Sequence, residues 1–402
     1  ADGRGRTALH RACQGWDPHR PGAFRSDGGG DRDGNGNGNG NGEAPRDATV
    51  RLLLEAHPSA ASVRDRDGKL PIHRACDNRS PSSAVVSMLL TAHLPGASAS
   101  DPAGRTPLHC ICSNDCLVAV RVGGGGGGRG AEAAALRDLD RLEAGREAVA
   151  IVRALLDADP EGAGRLTNKM DVALHLAAGY GCGDGGDGDH PPVHAHSEIV
   201  AMLTAAHPRA VLLRNDYGYT PLHCACRSYE PDEVVVRELL RTGATVAKED
   251  DEKGRREDAP KMTVSGEDCP LVKSRTNNGE TALHLAASKG HVSEGVLRAL
   301  LDAHAEADSA DGADANAPHP ENDDMTNKGG NTPLHEACFR HSSDRVLRAL
   351  SSAVPRWTTV RNSAGYTPLH LSCKSGLASP SALLALLRAP GGLDAAAPSA
   401  LL

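Results

Sequence analysis

Nineteen histidines and 11 cysteines are the residues through which this sequence could do chemistry, and their spacing decides how many of them do. Eight of the histidines recur in one phrase: His10, His73, His109, His175, His223, His284, His335 and His370. Cys13, Cys76, Cys112, Cys226, Cys338 and Cys373 each follow such a histidine by three residues. A catalytic or metal centre needs one constellation, not eight equivalent ones. The repeated imidazoles are therefore read as buried groups that satisfy backbone, and the six cysteines as small buried apolar residues.

What remains gives no complete site. His335-Glu336 opens like a zinc-protease motif, but the next histidine is His341, six residues on, where a ligand pair needs four. His109, Cys112 and Cys116 share a helix face, yet two of them are ordinary core positions, and Cys224 and Cys226 point to different sides. Asp31-Arg32-Asp33-Gly34-Asn35-Gly36 mimics the start of a calcium loop, but its twelfth position is Gly42 instead of glutamate. His190, His194 and His196, with Asp184, Asp187 and Asp189, have the donor chemistry for zinc, copper or nickel. The glycines around them fix no geometry, so these three stand as weak metal candidates and no cofactor is expected. A serine-nucleophile elbow, a phosphate loop and a dinucleotide fingerprint are all missing, so no enzyme is expected.

The elements follow from the phrase itself. It reads Thr-Pro-Leu-His-x-Ala-Cys at Thr220–Cys226 and Thr332–Cys338, with variants starting at Thr7, Leu70, Thr106, Val172, Thr281 and Thr367. The starts lie 63, 36, 66, 48, 61, 51 and 35 residues apart, so the unit is about 33–36 residues and the longer intervals carry insertions. Threonine is expected to cap a helix by accepting from early N–H groups, and proline suits the first helical turn. A second apolar helix follows, as at Val346–Leu350 and Val234–Leu240. Asp or Asn stands five residues before the phrase and Gly two before it, as at Asp65/Gly68 and Asn215/Gly218, which predicts a tight turn.

On these residues the chain resembles the ankyrin-repeat family, over essentially its whole length outside the insertions. The resemblance implies an all-α repeat solenoid, an ankyrin-like stack of helix–turn–helix units joined by β-turns or hairpins. It also implies that each repeated histidine bonds the neighbouring turn. Eight repeats are placed at 2–64, 65–100, 101–166, 167–214, 215–275, 276–326, 327–361 and 362–402 of a single repeat domain, with disordered insertions at 17–44, 121–131, 182–196, 246–272 and 305–325. Gly-rich and charge-rich composition gives those stretches little to bury. Glu132–Glu147 is the exception, a helix or an extension of the third unit's second helix. Second helices often end in Ala-His-Pro (Ala56-His57-Pro58, Ala206-His207-Pro208), a departure from the family expected to change the exit and not the fold. In the fourth unit Met170 replaces the turn glycine and Val172 the threonine, which predicts the weakest junction there.

Composition bounds the function. Aromatic residues are 2% of the chain and the net charge is −8, which opposes a general grip on nucleic acid. Apolar runs all fall short of the roughly 20 residues needed to cross a bilayer. Stacked units about 8–10 Å apart hold the repeated cysteines too far apart for disulfides, which points to the cytoplasm, or the nucleus, and to a monomer. The chain opens on Ala1 and ends on an apolar stretch, so it reads as a fragment.

Function then falls to surfaces, as a non-enzymatic interaction scaffold. The family resemblance implies a concave face made by turn tips and first helices. The positions mapped to it are Tyr180 in the fourth unit; Asp216, Tyr217, Tyr219 and Arg227 in the fifth; Lys328, Phe339 and Arg340 in the seventh; and Tyr366 and Lys374 in the eighth. Exposed Tyr and Arg dominate interface energies, and protein partners are expected. The other reading makes the chain a regulatory or targeting segment of a larger enzyme or channel.

Overall fold

Local sequence builds the same pair of helices eight times in the computed structural model, which describes residues 1–14, 45–78, 80–113, 131–179, 194–228, 231–252, 271–289, 292–310, 325–340, 343–374 and 380–387. The pairs are α1 (Ala8–Gln14) and α2 (Pro45–Ala56), α3 (Pro71–Cys76) and α4 (Ser83–Ala92), α5 (Pro107–Cys112) and α6 (Ala131–Ala158), and α7 (Ala173–Ala178) and α8 (His194–Ala206). The remaining four are α9 (Pro221–Arg227) and α10 (Glu233–Glu252), α11 (Ala282–Ala287) and α12 (Glu294–Ala310), α13 (Pro333–Phe339) and α14 (Asp344–Ala353), and α15 (Pro368–Lys374) and α16 (Pro380–Leu387). Among the described residues there is no strand. The fold is therefore an all-α repeat solenoid.

The chain divides into two compact units: residues 1–168 with 193–195, and residues 169–192 with 196–402. Within the first, α1, α3 and α5 stack in sequence and so do α2, α4 and α6. Within the second, α7, α9, α11, α13 and α15 form one row, and α10, α12, α14 and α16 another. The division falls between Asn168 and Lys169, inside the turn that departs most from the repeat pattern.

Each first helix is only six or seven residues long, so its stability comes from burial at both ends. Leu108, Leu174, Leu222, Leu283 and Leu334 are sealed from solvent, each contributing about 1.5–3 kcal/mol. The phrase histidine closes the helix start. Its Nδ1 accepts the N–H of the cap residue, at 3.2 Å from Thr220 and 3.1 Å from Thr332. The threonine hydroxyl lies 2.8 Å from the same nitrogen in both repeats, much closer than its 3.5 and 3.4 Å approaches to the helix N–H groups. The threonine hydroxyl therefore accepts from the helix N–H as expected and also pairs with the histidine ring. With Nδ1 accepting, Nε2 carries the proton, and it donates to a carbonyl of the next turn. His73 reaches Ala99 and Arg105 at 3.0 and 3.2 Å, His223 reaches Ser274 and Glu280 at 3.1 and 3.2 Å, and His284 reaches Asn331 at 2.9 Å. Leu70 and Val172 lack a hydroxyl, yet their N–H groups still donate to His73 and His175.

The turns use the residues expected. Asn215 Oδ1 accepts from the N–H groups of Tyr217 and Tyr219, and Gly218 takes a φ of +75°, which a side chain would strain. In the fourth unit Met170 takes that conformation, with φ +63°. Neighbouring tips are tied by backbone bonds such as Asn277 to Tyr217, Lys328 to Asn278 and Ser363 to Gly329. Arginine adds a tie that sequence reading missed. Arg64, Arg214 and Arg275 stand six residues before their phrases, and each donates to the carbonyl of its own turn glycine and to a carbonyl of the following repeat, at Ser100, Arg275 and Thr326. The signal was an arginine recurring at positions 64, 214, 275 and 361.

Several expectations need correction. Helix continues into stretches expected to be insertions, since α10 reaches Glu252 and α12 reaches Ala310. Val246 and Ala307 stay buried and carry the apolar stripe onward. Leu271 and Val272 are also buried, in a 3₁₀ turn at Leu271–Lys273. The rest of 246–272 and 305–325, together with 17–44, all of 121–130 and 182–193, lies largely outside the described residues. Glu132–Glu147 belongs to one helix, α6. The Ala-His-Pro exits lead into 3₁₀ turns, Pro58–Ser62 and Pro208–Leu212, where the proline takes the first position. Five of the six repeated cysteines are buried as expected, but Cys373 is exposed, because no described first helix stacks beyond α15.

Candidate protein-binding face

The turn tips and first-helix ends of the second compact unit carry the exposed aromatics. Two residues dominate: Tyr217, 56% exposed at a turn tip, and Phe339, 52% exposed at the end of α13. Tyr217 is displayed at the tip of a turn that Asn215 pins through the Tyr217 N–H and that Gly218 closes with a positive φ. Asp216, Arg227, Lys328, Arg340 and Lys374 are exposed as expected. Tyr219 and Tyr366 are half-buried. Their rings lie 6.1 and 6.3 Å from the phrase histidines His223 and His370, so part of each ring covers its own repeat. Tyr180 lies outside the described residues.

The structure brings these residues together as cation–aromatic pairs. The Arg227 guanidinium sits 5.5 Å from the Tyr219 ring centre, that of Arg340 5.6 Å from Phe339, and the Lys374 ammonium 4.6 Å from Tyr366. Each such pair contributes about 0.5–1 kcal/mol at an exposed site. More usefully, it holds a flexible side chain over a fixed ring. Tyr217 and Tyr219 lie 6.3 Å apart, making a two-ring platform at the fifth tip. Sequence reading placed these residues on one face but did not foresee the stacking.

Two carboxylates lie between the cations. Glu280 is half-buried, and burial raises its pKa, with Glu336 adding to the rise and Asn278, Arg340 and Arg227 opposing it. Glu336 accepts from the side-chain amides of Asn327 and Asn331 at 3.1 and 2.9 Å, which fixes it against its own turn. In the first compact unit the matching charges pair with one another. Arg6 binds Asp2, Lys69 binds Asp77, Arg74 binds Asp65 and Asp67, and Arg105 binds Asp101. The charges on these turns therefore largely neutralise one another.

The metal candidates do not assemble among the described residues. His190 and the side chain of His194 fall outside them, and His196 Nε2 bonds the Ala177 carbonyl. Among the described residues no three His, Cys, Asp or Glu side chains gather as metal ligands. The buried thiols are chemically quiet, with burial pushing Cys13, Cys226 and Cys338 up to about 12. No described helix is long and apolar enough to cross a membrane.

Repeated pairs of antiparallel helices, tied through turn glycines and a histidine clamp, define a stacked-repeat protein. Comparison of sequences then gives the family. Residues 217–251 match the model of a single ankyrin repeat, and residues 252–342 match a model of three ankyrin repeats. Residues 217–342 are thus ankyrin repeats, and the helix pairs outside them follow the same order of short first helix and longer second helix. No curated protein matches it. Ankyrin repeats generally mediate protein–protein interaction and are typically non-catalytic.

Proposed function

We propose that this chain is a non-enzymatic interaction scaffold that holds a protein partner on the turn tips and first-helix ends of its fifth to eighth repeats. The observation that carries the reading is the pair of large exposed side chains, Tyr217 and Phe339, within a set of cation-stacked rings. An aromatic ring held in the open by a fixed turn is the type of group that anchors interfaces. The bond-making groups elsewhere serve the scaffold: the histidines clamp turns and the buried thiols are protonated. Protein partners, a monomeric chain and a cytoplasmic or nuclear setting complete the reading.

The test is a photo-crosslinker placed at Asp216, used in a cell extract with the full chain. A partner captured by the wild-type face should be lost when Tyr217→Ala and Phe339→Ala are combined, with thermal unfolding unchanged. Capture that is identical in the double variant would remove these residues from the interface.

A further inference from the structure

The first-helix ends of four consecutive repeats each carry a cation: Arg227, Lys289, Arg340 and Lys374. These cations stand seven or eight residues after the phrase start, and in the repeats before them those two positions hold Gln14 and Gly15, Asp77 and Asn78, Ser113 and Asn114, and Gly179 and Tyr180, none of them basic. Arg227, Arg340 and Lys374 make no ion pair with a described residue, whereas most cations on the first unit's turns do. Each is stacked on a ring, which orients the charged group, and Glu280 lies within electrostatic reach of Arg227 and Arg340. Counting the described turn tips and first-helix ends of these four repeats, five cations, with Lys328, face three carboxylates: Asp216, Glu280 and Glu336. The chain as a whole carries −8, so this face opposes the sign of the molecule.

Spacing gives the shape of what would fit. Stacked helices lie about 8–10 Å apart, and an extended peptide advances about 3.3 Å per residue. A strand-like segment crossing the row therefore meets one cation about every third residue. The exposed rings of Tyr217 and Phe339, on two of the same repeats, are suited to apolar side chains. Nucleic acid is a poorer fit, since a net excess of two charges on an acidic chain gives little of the basic field that phosphates require.

Building on the interaction reading above, we infer that the partner segment is an acidic, extended peptide with carboxylates at about every third position and apolar residues between them. A cation at a helix C-terminus also stabilises that helix, so the test must separate binding from stability.

A random peptide display library selected on the full chain makes that separation. Enrichment of sequences with Asp or Glu at spacings of about three is the expected result. Enrichment of peptides without acidic bias would overturn this inference while leaving the interaction reading intact, and no enrichment at all would count against both. Selected peptides, synthesised with a fluorophore, should bind at least about tenfold more weakly to the Arg227→Glu/Arg340→Glu/Lys374→Glu variant and to wild type at high salt. The salt arm needs no mutant, so it decides the matter even where the triple variant unfolds. Equal binding of a labelled oligothymidine would place the face with nucleic acid and overturn the peptide assignment.

Discussion

Met170 shows how much one residue weighs in a repeat. Glycine takes the positive φ in the seven other turns, from Gly5 at +69° to Gly365 at +80°, while Met170 holds +63° with a Cβ attached. A side chain in this region costs about 1–2 kcal/mol, and glycine's extra chain entropy returns roughly 0.5–1 of it. Met170→Gly should therefore stabilise the fourth repeat by up to about 1 kcal/mol, seen as a higher urea midpoint. The reverse change, Gly218→Ala, should cost more, because its Cβ would lie 2.5 Å from Asn277 Oδ1 and 2.7 Å from Asn277 N. A midpoint unmoved by Met170→Gly would mean the turn is not strained. The irregularity was legible in sequence, since Met170 and Val172 break the phrase together. The direction of the fault was only half legible, because Val172 keeps the histidine clamp through its N–H at 3.2 Å.

At the scale of elements, sequence patterns carried the first helices whole and the second helices except for where they end. A seven-residue phrase with a fixed histidine leaves little choice, and all eight first helices lie where it stands. Second helices end where burial ends, which depends on neighbours far along the chain. In α10 the buried residues Val235, Val236, Leu239, Thr242 and Val246 continue one stripe past Gly243. A mid-helix glycine costs about 1 kcal/mol, and its reason lies outside the helix. Leu271, in the turn after α10, approaches so closely that a Cβ on Gly243 would stand 2.8 Å from Leu271 Cδ2 and 3.2 Å from Leu271 Cβ. Gly243→Ala should thus lower stability by about 1–2 kcal/mol, although alanine is the better helix former. Greater stability in thermal melts would show that Leu271 yields and that propensity decides. The cation–aromatic pairs were legible only as neighbours on one face; the stacking distances depend on rotamers that spacing does not specify.

For the whole molecule the histidine clamp makes stability depend on pH. Burial lowers His73 and His223 to about 4 and His284 to about 3, from an ordinary value of 6.5. Asp101 pulls His73 upward and Lys69 downward, Arg214 and His175 press on His223, and Arg275 and His304 on His284. Burial outweighs the favourable terms in each case. The unfolded chain therefore binds more protons than the folded chain between about pH 6.5 and pH 4, and stability rises with pH across that window. Above about pH 6.5 the contribution of these three groups is fully present and flat. As pH falls below it, each costs about 1.4 kcal/mol per unit until its folded pKa is approached, or roughly 2 kcal/mol at pH 5. Losses in a stacked repeat are felt first in the repeat that carries the histidine and its neighbours. A denaturation midpoint tracked from pH 7.5 to 4.5 should stay level at first and then fall steeply. His223→Gln keeps an N–H donor in place of the imidazole. It should start from a lower midpoint at pH 7.5 and show a shallower fall, by about one proton's worth of slope. A midpoint that stays level down to pH 5 would mean that these imidazoles are charged or solvated in the folded chain, and the clamp as described here would be wrong.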